Sequence, residues 1–208
     1  MSRKGIIFVI SAPSGSGKTS LSEALCADMD HVVRSVSCTT RPPREQEQDG
    51  LDYHFVSPQE FADHVAAGDF LEWASVHRHR YGTLRQPTEE ITTGGKDVLL
   101  VIDVQGAEQL RASGVEAVHI FVLPPSWQAL EKRLTGREPG TEACSGPAGE
   151  RLAAARQETA QYAVYDYVIM NDCFSEALTA FKAIVLAERH RTRHADPAPI
   201  LQLLNSGA

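Results

Sequence analysis

The sequence predicts an α/β fold built on a doubly wound parallel sheet, and three observations carry that expectation. Residues 6–10 and 98–102 are continuously apolar, the mark of strands covered on both faces, and residues 118–123 read as another such strand. Helical spacing alternates with these runs, as with Leu21, Ala24 and Leu25 in the segment that follows Lys18. Between the first run and that helix lies Ser11-Ala12-Pro13-Ser14-Gly15-Ser16-Gly17-Lys18-Thr19, a turn of small residues. Strand, small-residue loop and helix in this order form a phosphate-binding loop, because successive backbone N–H groups can curl round a polyphosphate only where bulky β-carbons are absent. The positive end of the helix dipole adds to the cradle, Lys18 reaches the β- and γ-phosphates, and the Thr19 hydroxyl can ligate Mg²⁺. One position departs from the strict pattern, which places glycine where this chain has Ala12.

The remaining elements follow in order. A helix is expected from Lys18 to about residue 28, then a β-branched strand over residues 32–37. Residues 38–50 are polar and turn-rich, too long for a simple connection. Arg41 and Arg44 flank Pro42-Pro43, and arginine forks on a stiffened loop suit a phosphate. A strand over 52–56 precedes Ser57-Pro58-Gln59-Glu60, a capping box that opens a helix to about residue 67. Residues 70–74 read as a strand whose alternation sets Glu72 opposite to Leu71 and Trp73, as an ordinary surface carboxylate would be. A short helix near 88–93 ends at Gly94-Gly95. The strand over 98–103 ends in Asp103, at the carboxyl edge where doubly wound sheets place ligands. Helices over 105–113, 126–134, 150–162 and 175–193 and a strand over 167–170 complete the pattern; residues 136–149 are rich in glycine and proline and expected to be mobile, and residues 194–208 receive no assignment.

Bulk properties narrow the function. A chain of 208 residues fits one α/β domain with small insertions, and a formal charge of −7 argues against a general nucleic-acid binder. Cys26, Cys38, Cys144 and Cys173 contain no C-x-x-C pair and read as reduced thiols. No apolar run approaches the length of a membrane span and no signal peptide is recognisable, so a cytoplasmic protein is expected. His77, His79, His190 and His194 lack a third ligand or an acidic partner, and Arg189, Arg191 and Arg193 would repel a cation, so no metal cluster is expected there.

Taken together with Ser35-Val36-Ser37-Cys38-Thr39-Thr40-Arg41-Pro42-Pro43-Arg44, Asp49-Gly50-Leu51-Asp52-Tyr53-His54-Phe55, Phe70-Leu71-Glu72-Trp73, Tyr81-Gly82-Thr83, Ile102-Asp103-Val104-Gln105-Gly106 and Asn171-Asp172, the loop makes the chain resemble guanylate kinases over about residues 5–193. The resemblance implies phosphoryl transfer from ATP to GMP with Mg²⁺. It also implies a core near 1–37, 91–133 and 157–193, a small mixed α+β GMP-binding insertion near 38–90 and a mobile lid near 134–156, all within one domain. The implied ATP contacts are Ala12, Pro13, Ser14, Gly15, Ser16, Gly17, Lys18 and Thr19 of the loop, with Arg133 and Asn171. On the GMP side, Arg41, Arg44, Tyr53 and Tyr81 hold the phosphate, and Ser37, Glu72 and Thr83 face the base. Asp103 either accepts from guanine or organises Mg²⁺ through water. Lys18, Arg44, Arg137 and Arg151 carry the transfer.

Three features depart from the family's pattern. Residues 138–149 replace an acidic, helix-compatible lid segment and run a few residues longer, which leaves the register of Arg151 open. Val101 stands where the family often has a carboxylate, two residues before Asp103, which puts Mg²⁺ dependence and turnover in question. Arg78-His79-Arg80 makes the approach to Tyr81 more basic. Two other functions compete with this one. A kinase of the same fold could act on another phosphorylated acceptor, and a catalytically dead module could bind a phosphorylated protein; Gly15, Gly17, Lys18 and Thr19 argue against the second.

Overall fold

The computed structural model describes residues 3–76, 78–135 and 148–206. His77, Arg137, Cys144 and most of the glycine- and proline-rich segment lie outside the described residues.

Two sheets organise the chain. The first is five-stranded and wholly parallel, with β1 (Ile7–Ser11) at its centre, β7 (Asp97–Val101) and then β2 (Val32–Arg34) on one side, and β8 (Val118–Leu123) and then β9 (Tyr167–Met170) on the other. Alternation along β1 decides which layer each side chain enters. Phe8 and Ile10 point to a core shared with Leu21 and Leu25 of α1 (Lys18–Asp28) and Phe181 and Val185 of α7 (Phe174–Arg189). Val9 points the other way, to Leu100, Ile102 and the Ala107 and Leu110 side chains of α4 (Val104–Ala112). Both faces are therefore covered, as the apolar runs require.

The second sheet is mixed, in the order β4 (Tyr53–Phe55), β3 (Ser37–Thr39), β6 (His79–Leu84), β5 (Phe70–Val76). The β3–β4 pair is parallel and the other two are antiparallel. Here the structure corrects three expectations. The single strand expected over 32–37 is two, because the chain leaves the parallel sheet after Arg34 and enters the second one at Ser37. The long polar loop accordingly begins only after β3. The helix expected near 88–93 is α3 (Arg85–Thr93), which starts directly from the end of β6. The capping box is present as read: Ser57 Oγ accepts from Glu60 N at 3.2 Å, Glu60 accepts from Ser57 N at 2.7 Å, and Pro58 opens α2 (Pro58–Ala67).

Strand β5 joins the two halves. Its Leu71 belongs to the core of the parallel sheet, while Phe70 packs with Cys38 and Phe61 under the second sheet. Helix α4 lies against β5, and Trp73 N donates to Gln109 Oε1 at 3.2 Å. Away from this junction, α5 (Trp127–Thr135) and α6 (Ala148–Thr159) pack together through Leu130, Leu134, Leu152 and Ala155. A 3-10 turn (Ala160–Val164) then leads into β9.

The segment before β1 and the end of α7 meet at Asp97, which is fully buried. Arg3 grips it through both carboxylate oxygens at 2.7 and 2.9 Å, Arg189 Nε at 2.7 Å and Ile6 N at 2.9 Å. Burial alone would raise its pKa, but the two arginines and the Ile6 N–H outweigh burial and hold the carboxyl below its usual range. Helix α7 ends at Arg189, four residues short of expectation. Residues 194–208, unassigned from sequence, contain α8 (Pro197–Asn205), capped by Asp196 and started by Pro197. No helix among the described residues is long and apolar enough to cross a membrane.

Candidate active site

The phosphate loop joins the carboxyl end of β1 to α1. Gly15 and Gly17 both hold φ of +89°, the left-handed region in which a β-carbon is strained. At Gly17 a β-carbon would also run into Asn171 Nδ2, so this glycine is required twice over. Gly17 is the N-cap of α1 and offers no side chain to its first N–H groups, which leaves them to an anion. The Ala12 methyl packs into the main core beside Phe8 and Leu21, which is why alanine is tolerated at the departed position. The loop is braced from outside. Asn171 Nδ2 donates to Ser16 O at 2.7 Å, Asn171 N to Leu123 O at 2.8 Å, and Arg133 reaches Asn171 O at 3.4 Å. Gly15, Gly17, Ser20, Lys132, Arg133, Asn171, Asp172 and Phe174 line a cleft of about 400 Å³ on this side.

Lys18 donates to Ile102 O at 2.8 Å. Burial pulls its pKa below the ordinary lysine value, and the carboxylates of Asp103, Glu158 and Glu72 work in the opposite direction. The charges of carboxylates from three separate elements thus act on one ammonium. Asp103 caps α4, with Oδ1 accepting from Gly106 N at 2.8 Å and Oδ2 facing Gln105 Nε2 at 3.4 Å. Thr19, next to Lys18 in the first turn of α1, is exposed.

On the other side of Asp103 the second sheet assembles a polar face through its register. Ser37 lies beside Tyr53, Thr39 beside Tyr81, and Glu72 beside Thr83. The Tyr53 and Tyr81 rings meet edge to face at 5.9 Å. Arg41 is buried with its guanidinium 5.4 Å from the Tyr53 ring centre, and both its terminal nitrogens bind Glu47 at 2.8 Å. Arg44 is half-exposed, its backbone N also donates to Glu47 at 2.9 Å, and its guanidinium stands 3.7 Å from the same carboxylate. Glu47 therefore holds both arginines of the loop at one point. Sequence reading missed it, because a lone acid in a polar loop has no periodicity to mark it.

At Glu72 the structure departs from simple strand alternation and agrees with a residue turned toward the site. Glu72 is no surface carboxylate: it is 5% exposed, whereas Trp73 is 36% exposed. The cause is an irregularity in the β5–β6 pairing between Phe70 and Glu72, which turns both Leu71 and Glu72 inward. Thr83 Oγ1 donates to Glu72 Oε1 at 2.6 Å, and a β-carbon on Gly106 would collide with Glu72 Oε2. Burial, helped by the charge of Asp103, pushes the Glu72 carboxyl from 4.5 to about 7, against the opposing pull of Thr83 and Lys18.

The structure thus brings together Ser37, Tyr53, Tyr81, Thr83, Glu72, Arg41 and Arg44 on the second sheet, with Asp103 and Lys18 between that face and the phosphate loop. Arg151 sits on α6 and donates to Leu134 O at 3.1 Å. Arg137 lies outside the described residues. Glu158, on the same helix as Arg151, was not singled out from sequence, although its spacing from Arg151 and Ala155 marks one helix face.

A family model described as guanylate kinase matches residues 4–188. Among curated relatives, a guanylate kinase of Symbiobacterium thermophilum is 44% identical over 205 residues, covering 99% of this chain and 96% of the relative. Another, of Syntrophotalea carbinolica, is 47% identical over 188 residues, covering 90% and 88%. A crystal structure of guanylate kinase from Anaplasma phagocytophilum superimposes with a TM-score of 0.77 at 32% identity, covering 96% of this chain and 94% of that one. Fold, site geometry and these likenesses lead to one conclusion: the chain belongs to the guanylate kinase family.

Proposed function

We propose that this enzyme transfers the γ-phosphoryl group of ATP to GMP, and to dGMP, giving ADP and GDP. The observation that carries the reading is Glu72, a buried carboxyl whose charge is felt by the lysine of the phosphate loop. Guanine offers N–H donors side by side at N1 and the 2-amino group, and one ionised carboxylate accepts both. Adenine has no proton on N1 and no 2-amino group, so it would leave this acid unpaired in a buried site.

The roles follow from placement. Arg41 and Arg44, released from Glu47, bind the GMP phosphate together with the Tyr53 and Tyr81 hydroxyls. Ser37 and Thr83 complete the base contacts. Asp103 shares its charge between Glu72 and Lys18 and so stands between the two nucleotides. The loop residues Ala12 to Thr19 cradle ATP, with Arg133 and Asn171 on the side of the 400 Å³ cleft. The GMP phosphate is its own nucleophile: one of its oxygens forms a bond to Pγ, the bond from Pγ to the β,γ-bridging oxygen breaks, and that oxygen leaves on ADP. With a second pKa of about 6, this phosphate needs no general base at neutral pH. Lys18, Arg44, Arg151 and Arg137 neutralise the charge that spreads over the transferring group.

The residues present fit Mg²⁺ as hard oxygen donors: the exposed Thr19 hydroxyl at the loop, and Asp103, whose Oδ2 has a long contact to Gln105. Bound there with ATP, Mg²⁺ would supply charge neutralisation on the β- and γ-oxygens. The second sheet with its flanking helix acts as the GMP-binding part, residues near 134–156 as the lid, and the parallel sheet as the platform for both. The substrates are the ATP and GMP pools of the cytoplasm.

The test is ADP formation from ATP and Mg²⁺ with GMP, dGMP, AMP, CMP and UMP as separate acceptors. Transfer to GMP and dGMP alone is expected. Transfer to a different acceptor would overturn the role given to Glu72, and GMP binding without transfer would identify a binding module instead. A second expectation concerns Gly106. Gly106→Ala should displace the Glu72 carboxylate and lower kcat/KM for GMP by about 10–100-fold, the cost of an ångström-scale misplacement. The affinity for ATP should hold, and equal losses for both nucleotides would show general unfolding instead.

A further inference from the structure

We propose that Gln109 is a positioning residue for guanine recognition: its side chain holds the bulge of β5 that turns the Glu72 carboxylate toward the GMP side of the second sheet. The role rests on Glu72 being the guanine acceptor.

The bulge decides which face Glu72 occupies. In a regular strand Phe70 and Glu72 would share a face, because side chains alternate. In β5, Phe70 and Trp73 both reach the Phe61 ring on one face, at 4.7 and 6.3 Å between ring centres. The extra residue lies between Phe70 and Glu72, so Leu71 and Glu72 follow one another onto the opposite face. There Leu71 enters the core of the parallel sheet, Glu72 accepts from Thr83, and Ala74 lies opposite Tyr81. Without the bulge the carboxylate would share the face of Phe70 and Phe61, away from Tyr81 and Thr83.

Helix α4 holds this register from the open side of the strand. β5 is the last strand of its sheet, with β6 on one side. Along its other edge Trp73, the residue after Glu72, donates its backbone N–H to Gln109 Oε1 at 3.2 Å. Leu71, the residue before Glu72, is buried with Ala107 and Leu110 of the same helix. Gly106, three residues before Gln109, has no β-carbon and so leaves room for Glu72 Oε2. The helix thus grips β5 on both sides of Glu72 and lets the carboxylate pass between. The apolar grip on Leu71 has no direction and tolerates a slip. The hydrogen bond to Trp73 N is directional and fixes which amide faces α4. Gln109 is itself exposed, so replacing it leaves the core intact.

The experiment compares the wild-type protein with Gln109→Met, which keeps the side-chain length and removes the acceptor, and with Gln109→Glu, which restores one. Exchange of the Trp73 amide is followed by NMR, and guanosine, inosine and ATP are titrated calorimetrically. In Gln109→Met the Trp73 amide should exchange faster, and guanosine should bind about tenfold more weakly, the worth of roughly one hydrogen bond. Inosine lacks the 2-amino group and should lose less, so the preference for guanosine over inosine narrows. The affinity for ATP and the thermal midpoint should hold. Gln109→Glu should recover both the amide protection and the guanosine affinity. Unchanged guanosine binding in Gln109→Met would overturn the positioning role. So would equal losses for guanosine, inosine and ATP, or a loss that Gln109→Glu does not repair. Wild-type protein that binds adenosine as tightly as guanosine would overturn the role of Glu72 and the positioning role with it, whereas the other adverse outcomes overturn the positioning role alone.

Discussion

Lys18→Ala is expected to lower kcat for GMP phosphorylation by at least about 10²–10³-fold, the loss seen when one preorganised charge donor is removed from a transition state. Lys18 is an unusually exposed target for such a prediction because so much of its environment is acidic. Asp103, Glu158 and Glu72 all act on it, and its own ammonium is held at Ile102 O, at the carboxyl end of the sheet, 2.8 Å away. Without it, the γ-phosphoryl group would develop negative charge near these carboxylates with one preorganised cation fewer to offset it. Binding of guanosine, which makes no phosphate contact, should survive. Measuring single-turnover ADP formation alongside guanosine affinity separates the two effects. A variant that retained more than about a tenth of the wild-type rate would show that Lys18 does not serve the transferring phosphoryl group.

Glu72→Gln is the second large effect. A glutamine offers one acceptor oxygen and one donor nitrogen to the two guanine N–H groups, so one donor meets a donor in a buried site. The expected loss in kcat/KM for GMP is about 10²–10³-fold, set by the cost of leaving a buried polar group unpaired. The pH dependence gives an independent handle, and its two signs differ. As a folding contribution, a carboxyl raised from 4.5 to about 7 favours the native state below its ordinary value, and that contribution fades as pH rises through about 7. As a guanine acceptor it must be ionised, so base recognition strengthens over the same rise. Guanosine is the ligand to use, since the GMP phosphate itself titrates near pH 6. Its affinity should fall about fivefold between pH 7 and pH 6 as the ionised fraction falls, and this dependence should vanish in the glutamine variant. Pronounced pH dependence that persisted in Glu72→Gln would assign the titration to another group.

Much of this fold was legible because its strands are of the easiest kind. Residues 6–10 and 98–102 are apolar without interruption, which happens only where both faces are covered, and β1 and β7 are indeed neighbours at the centre of the sheet. The phosphate loop was legible for a related reason, since glycines, lysine and threonine occupy fixed places between a strand and a helix. The second sheet was harder. Its strands β3 and β4 are three residues long, too short for alternation to register, and β5 breaks alternation at the residue that matters most. A bulge is a relation between two strands, so Glu72 reads as exposed on its own strand and becomes buried only when β6 and α4 are placed against it. Glu47 was missed because its partner, Arg41, is fixed by loop geometry. Helix α8 escaped because Ile200, Leu201, Leu203 and Leu204 all face outward, so no core-facing rhythm marks it.

The buried Asp97 has a consequence for how the protein comes into being. Its partners are separated from it by 94 residues on the N-terminal side and 92 on the C-terminal side. While the chain is being synthesised, Arg3 and the Ile6 N–H emerge before Asp97, but Arg189 emerges only after every strand of the parallel sheet. Until it emerges, closing the centre of the parallel sheet would bury a carboxylate with half of its compensating charge missing, at a cost of several kcal/mol. The sheet can therefore lock only once α7 has been made. The same carboxylate acts as a checkpoint on length: a chain terminated before Arg189 keeps every strand of the sheet and lacks the charge that lets them close.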